Sequence, residues 1–327
     1  MYSNYKFKPD TFKPNLPNFI ELGDVAGISV DNKDNIYLFN RSKNPIIVLN
    51  QKGELLRTWG HGIFKNPHGS HIGFDQNIYL TDNGDHTVRK FTLDGKLLLQ
   101  IGIPDTNSGF MSGKPFCKCT HSALSPEGNI IVSDGYGNAA IHIFDQNGKH
   151  IKSWGKPGAS PGEFNLPHNV CCDKNGFIYV ADRENSRVQI FNSNGKFEKQ
   201  IVNMHRPSGL AITPGFNPDI IVSELASYLE VNKNFPNLGP YLSIFNSKND
   251  LLYRIGNEGK PGLAPGMFVS PHSIAYDSLG NIYVGDVVET DWDHIFKNQK
   301  KPKNIRRFQR FFRTGMWKSC LKKDIYT

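Results

Sequence analysis

The chain has 327 residues, 38% of them apolar and 12% aromatic, with 31 Gly and 20 Pro, which suits a large core broken by many turns rather than long helices. No run approaches the roughly 18 apolar residues of a membrane-crossing helix, and the opening segment lacks the apolar stretch of a secretory signal, so the reading is a soluble, cytoplasmic protein. The net charge of +8 sits at one end: from Lys297 onward 11 Lys or Arg face one acid, Asp324, while the rest of the chain carries 27 bases and 29 acids, so the charge says little about what the body binds.

In chain order, six segments are versions of one strand: Asn35-Ile36-Tyr37-Leu38, Asn77-Ile78-Tyr79-Leu80, Asn129-Ile130-Ile131-Val132, Phe177-Ile178-Tyr179-Val180, Asp219-Ile220-Ile221-Val222 and Asn281-Ile282-Tyr283-Val284. Their Ile positions are separated by 42, 52, 48, 42 and 62 residues, the period of a repeat fold. Four residues after each Ile stands a polar residue: Asn40, Asp82, Asp134, Asp182, Glu224 and Asp286. An alternating strand pattern follows, as in Val88-Arg89-Lys90-Phe91, and then a turn and a strand closing on Trp59-Gly60, Ile101-Gly102 or Trp154-Gly155. About four short strands per repeat predict an all-β fold, a six-bladed β-propeller, with the repeated strand innermost. A single domain over 1–312 is expected, with a basic extension over 313–327 and the residues before Lys33 helping to close the ring. A solenoid fits four strands per unit less well.

Five cysteines, Cys117, Cys119, Cys171, Cys172 and Cys320, lack the spacing of a disulfide framework and suit a reducing compartment. They read as core thiols and not as a metal site. Histidine is different. Pro67-His68, Pro167-His168 and Pro271-His272 each place the imidazole ten residues before the reference Ile of blades two, four and six. Sixfold geometry then sets the three rings about 120° apart around the channel. Three neutral imidazoles converging on one point are an open catalytic metal site, and the ligand type favours Zn2+ over Fe, Co or Ni. His121 precedes Ile130 by nine residues and is placed in the second shell or facing substrate.

A metal with an open position needs a proton carrier and a substrate clamp. Blade three supplies Asp134-Gly135-Tyr136-Gly137, a phenol at the channel end of its strand, and a phenol beside a dication can serve as base. Arg41 and Arg183 follow their strands in Phe39-Asn40-Arg41 and Ala181-Asp182-Arg183, and as a pair they would hold a carboxylate.

The strings LPHNV, DGYGNAAIHIF, YVADRENSRVQIF and FVSPHSIAYDSLGNIYVGDV, together with the recurring WG and PH, resemble NHL-repeat propellers of the peptidyl-α-hydroxyglycine α-amidating lyase family, especially its bacterial members. The likeness runs from about Gly23 to Val287. It implies zinc on His68, His168 and His272, Tyr136 as catalytic base, and Arg41 and Arg183 orienting base and substrate. The implied reaction is cleavage of the C–N bond of an N-acyl-α-hydroxyglycine to a primary amide and glyoxylate. Three features depart from the family's animal members. Gly137 replaces a disulfide cysteine, leaving Cys117 unpartnered. Ser273 replaces an aspartate that holds a structural Ca2+, whose other ligands are carbonyls near Ile28 and Ser70. The 327 residues are not expected to include a copper monooxygenase domain, which opens the expected substrate to small α-hydroxyglycines and ureidoglycolate as well as peptides.

Two other classes compete with a lyase. A propeller hydrolase of lactones or esters would want acidic metal ligands in the channel, and none stand out. An NHL scaffold binding protein or RNA has no use for histidines on alternate blades. The tail carries Phe308, Phe311, Phe312 and Trp317 among its charges and reads as a last strand, Ile305 to Phe311, plus a solvated extension; contact with nucleic acid or anionic lipid is its alternative reading.

Overall fold

The computed structural model describes residues 7–10, 12–215, 217–233 and 238–314. Within them, 24 strands form six sheets of four, the blades of a six-bladed β-propeller. Apolar residues of neighbouring blades fill the spaces between them: Ile131, Ile141 and Ile143 of blade three, for example, pack on Val170, Ile178 and Val180 of blade four. The Trp-Gly endings have a packing reason, since Trp59 and Trp154 lie over Gly95 and Gly195 of the following blades. A Cβ at either glycine would come within 2.9 Å of the indole, and both glycines hold positive φ.

The repeated Ile segment is the second strand of each blade, not the innermost. The innermost strands are Val25–Val30, Pro67–Ile72, Cys119–Leu124, Pro167–Cys172, Pro207–Ile212 and Pro271–Tyr276, and each lies beside its two neighbours around the channel. Their patterns are hard to see in sequence because they mix Gly, Ser, His and Ala, as channel walls must where six strands crowd one axis. The histidines therefore sit on the axial strands themselves.

The recurrent polar residue ends the second strand and ties down the segment entering the inner one. Asp82 accepts from the amides of Lys65 and Asn66, Asp134 from Cys117, Asp182 from Asn165, Glu224 from His205, and Asp286 from Val269 and Ser270. All are nearly inaccessible, so these carboxylates satisfy amides that the loops would otherwise bury unpaired. At the other end of the inner strand, Asp31, Asp75, Asp173 and Asp277 receive the hydroxyls of Tyr37, Tyr79, Tyr179 and Tyr283. Blades three and five have Ile131 and Ile221 in place of the Tyr, and Ser125 and Thr213 in place of the Asp.

Chain ends close the ring as expected in part. Phe7–Pro9 pairs with Phe308–Arg313 as the outer strand of blade six, whereas Val25–Val30 belongs to blade one. The last strand therefore extends past Phe311, to Arg313; residues 315–327, including most of the basic extension, Trp317 and Cys320, lie outside the described residues. Blade six also carries the helix Val288–Ile295 (α1), inserted between its second and third strands. Among the described residues no helix is long and apolar enough to cross a membrane.

Candidate metal centre

His68, His168 and His272 are each the second residue of an inner strand, at a shift of strand register: Pro67 pairs with Asp82 and Gly69 with Thr81, leaving His68 between them unpaired. Such a bulge re-aims a side chain, here toward the axis. The ring centroids are 4.9, 4.6 and 4.8 Å apart, and one ligand nitrogen from each ring lies within 4.8 Å of the others. Among the described residues this is the one set of three metal-ligating side chains so gathered.

The tautomers are fixed by a threefold pattern. His68 Nδ1 donates to Thr120 O at 2.6 Å, His168 Nδ1 to Ser208 O at 2.6 Å, and His272 Nδ1 to Ala26 O at 2.8 Å. Ala26, Thr120 and Ser208 are the second residues of the inner strands of blades one, three and five. Even blades thus supply imidazoles and odd blades the carbonyls that orient them, leaving the Nε2 lone pairs to converge, as metal-ligating histidines require. Burial, followed by the charges of neighbouring His272 and Arg41, holds His68 well below the ordinary histidine range. Burial and then Arg183 do the same to His168, and burial and then Arg41 bring His272 to about 3. All three rings are neutral at pH 7, the form that binds a cation.

The prolyl carbonyl before each histidine is held too. Thr120 Oγ1 donates to Pro167 O at 2.9 Å and Ser208 Oγ to Pro271 O at 2.6 Å. Blade one has Ala26 there, with no hydroxyl, and Arg41 Nε takes over on Pro67 O at 3.2 Å. Tyr136 completes the centre: its hydroxyl lies 3.2 Å from His68 Nε2, 3.0 Å from His168 Nε2 and 3.3 Å from Arg183 Nη1. The Arg183 guanidinium also sits 5.4 Å from the centre of the Tyr136 ring and pairs with Glu184 at 2.7 Å, which in turn pairs with Arg206.

A family model for the NHL repeat matches residues 164–191. The chain is 30% identical over 304 residues to peptidyl-glycine alpha-amidating monooxygenase B of Xenopus laevis, a match covering 82% of this chain and 33% of that protein. It is 28% identical over 315 residues to peptidyl-alpha-hydroxyglycine alpha-amidating lyase 1 of Drosophila melanogaster, covering 83% of this chain and 56% of that one. The chain is an NHL-repeat propeller homologous to amidating lyases. It spans between a third and about half the length of these curated relatives. Among solved structures, the WD40 propeller domain of Doa1 matches with a TM-score of 0.55 at 12% identity over 87% of this chain and 77% of that one, a likeness of fold.

Within this NHL propeller, the predicted residues His68, His168, His272, Tyr136 and Arg183 come together, and Arg41 flanks His68 and His272. His121 stands apart. It is the third residue of its strand, paired opposite Ser133 as Gly69 is opposite Thr81, so the position in phase with the histidines belongs to Thr120. The equivalents of His121 are Gly27, Gly69, Asn169, Gly209 and Ser273, all smaller, and its ring fills the space they leave. Its nitrogens each lie 3.2 Å from a carbonyl, Val170 O and Ser70 O, and it lines a cavity of about 410 Å3 near the opposite ends of the inner strands. Ser70 O, which the resemblance would offer to Ca2+, therefore has an imidazole nitrogen 3.2 Å away, and Ser273 Oγ is buried without a hydrogen-bond partner. Cys117 is a free thiol against Gly137, where a Cβ would fall 2.3 Å from its sulfur.

The sequence reading missed Thr120, Ser208 and Glu184. Aligning the blades on their inner strands would have revealed the first two as the odd-blade counterparts of the histidines.

Proposed function

We propose that this propeller is a metal-dependent lyase that splits the C–N bond of an N-acyl-α-hydroxyglycine, peptide or small molecule, into a primary amide and glyoxylate. The observation that carries the reading is the Tyr136 hydroxyl spanning two of three preorganised neutral imidazoles, with an arginine on it. The donor set, three histidine nitrogens with their second nitrogens bonded to carbonyls, fits Zn2+ on His68, His168 and His272. When bound, the dication supplies Lewis acidity to a hydroxyl placed at its open position.

The remaining chemistry belongs to the side chains. Tyr136 as phenolate takes the proton of the substrate hydroxyl, and Arg183 stabilises that phenolate through Nη1. As the C–OH becomes the aldehyde of glyoxylate, the C–N bonding pair leaves on the amide nitrogen, which recovers the proton from Tyr136, so the step is redox-neutral and needs no added reactant. Arg41 holds the substrate carboxylate. Replacement tests separate the roles. His168→Ala lowers metal content and activity together, while Tyr136→Phe keeps the metal and loses turnover by about a hundredfold or more. Full activity in Tyr136→Phe would contradict the base assignment.

A further inference from the structure

Arg41 and Arg183 occupy the same place after their strands, yet their charges are treated differently. Arg183 is ion-paired with Glu184, a carboxylate it shares with Arg206. Among the described residues Arg41 has no ion pair; its Nε donates to Pro67 O and its Nη1 to Thr290 Oγ1 at 2.8 Å, leaving Nη2 without a partner. An uncompensated guanidinium with an open edge beside the three histidines is suited to a carboxylate, and its aim depends on the two groups that grip its other edge.

Thr290 belongs to α1, the helix inserted into blade six, and its hydroxyl is not free to turn. It donates to Asp24 Oδ2 at 2.6 Å, while the amides of Glu289 and Thr290 bind the two oxygens of the same carboxylate at 2.7 and 2.9 Å. Asp24 thus caps α1 from blade one, a role its own N-cap residue, Val287, cannot fill. Because the Thr290 proton is committed to Asp24, only lone pairs remain to face Arg41. Asp24 also binds Arg41 directly through the backbone, its carbonyl accepting the Arg41 amide at 2.9 Å.

We propose that Thr290 and Asp24 are positioning residues that aim Arg41 at the substrate carboxylate, making α1 the element that sets selectivity for an acid over its neutral analogue. The inference deepens the lyase reading and rests on it for the identity of the acid. Thr290 is exposed, so its replacement is compatible with folding.

The test is calorimetric binding of a non-reacting 2-hydroxycarboxylate, and of its methyl ester, to zinc-loaded wild type, Thr290→Val and Thr290→Ser. The expected result is that Thr290→Val weakens carboxylate binding about tenfold, the worth of one hydrogen bond to a charged group. Ester binding and metal content stay unchanged, and Thr290→Ser restores carboxylate affinity. Equal weakening of acid and ester, no weakening in Thr290→Val, or a wild type that does not prefer the acid would overturn the proposal. Glyoxylate release, measured separately, decides the lyase reading: a protein that favours the acid through Thr290 but releases no glyoxylate keeps this inference and loses the reaction.

Discussion

At the scale of single residues, the centre depends on hydrogen bonds that leave each side chain one thing to do. A histidine whose Nδ1–H is given to a carbonyl presents only the Nε2 lone pair, and three such rings sharing an axis are preorganised before any ion arrives. Ser208 and Thr120 each hold two positions at once, the carbonyl under one histidine and the hydroxyl on the proline before the next. Ser208→Ala is accordingly expected to loosen His272 through Pro271 while leaving the His168 Nδ1 bond in place. Its zinc affinity should fall by up to about tenfold, measurable by competition with a chelator; an unchanged affinity would count against the relay. The histidines and Tyr136 were legible in the sequence because they recur with the repeat or interrupt it. Thr120 and Ser208 act through backbone carbonyls, which any residue type can offer, so composition gives no signal for them.

At the scale of the element, each blade is pinned by the polar residue that ends its second strand, an acid in blades two to six and Asn40 in blade one. Asp182 is fully buried and accepts from Asn165 N, Asn185 Nδ2, Arg187 Nε and Gln189 Nε2, with Arg187 itself buried. Asp182→Ala would strand that guanidinium, and the urea midpoint should report a loss of about 3–5 kcal/mol, where a surface acid would cost a few tenths. The blade count could be read from the spacing of the Ile segments. The order of strands within a blade could not, since the apolar second strand carries the recognisable pattern while the axial strand, crowded by its neighbours, is built of small and polar residues. The same spacing held a further clue: the longest intervals, 52 and 62 residues, contain extra chain, the loop before Cys119 and the segment around Glu230–Asn232. Closure also belongs here. Deleting residues 1–10 removes the strand that covers Phe308–Arg313 and is predicted to lower the melting temperature by several degrees, whereas ending the chain after residue 314 should leave it nearly unchanged.

At the scale of the molecule, the channel concentrates neutral imidazoles in a buried space, and that choice has a pH signature. His68 and His168 are held well below the ordinary histidine range, His71 near about 4, and His121 and His272 near about 3, burial being the first cause in each. In the unfolded chain these groups take up protons near pH 6.5, so the metal-free protein loses stability as the pH falls from about 6.5 toward 4, by roughly 2–3 kcal/mol per deeply buried ring between pH 7 and 4.5. Asp286 works in the opposite sense, since burial pushes its carboxyl up to about 7 and it stays protonated while the unfolded chain ionises. Burial raises the Glu224 carboxyl as well; two such carboxyls against five imidazoles leave the fall at low pH dominant, and a denaturation midpoint that held steady or rose from pH 7 to 4.5 would contradict the burial of these rings. The central claim is the union of metal and reaction in one site, and the measurement that tests it most directly is metal content of the purified protein paired with glyoxylate release from a simple N-acyl-α-hydroxyglycine. The account predicts about one zinc per chain, with glyoxylate formed and lost again on chelation. A protein that takes up no metal even after reconstitution, or one that binds zinc and yields no glyoxylate, would contradict it.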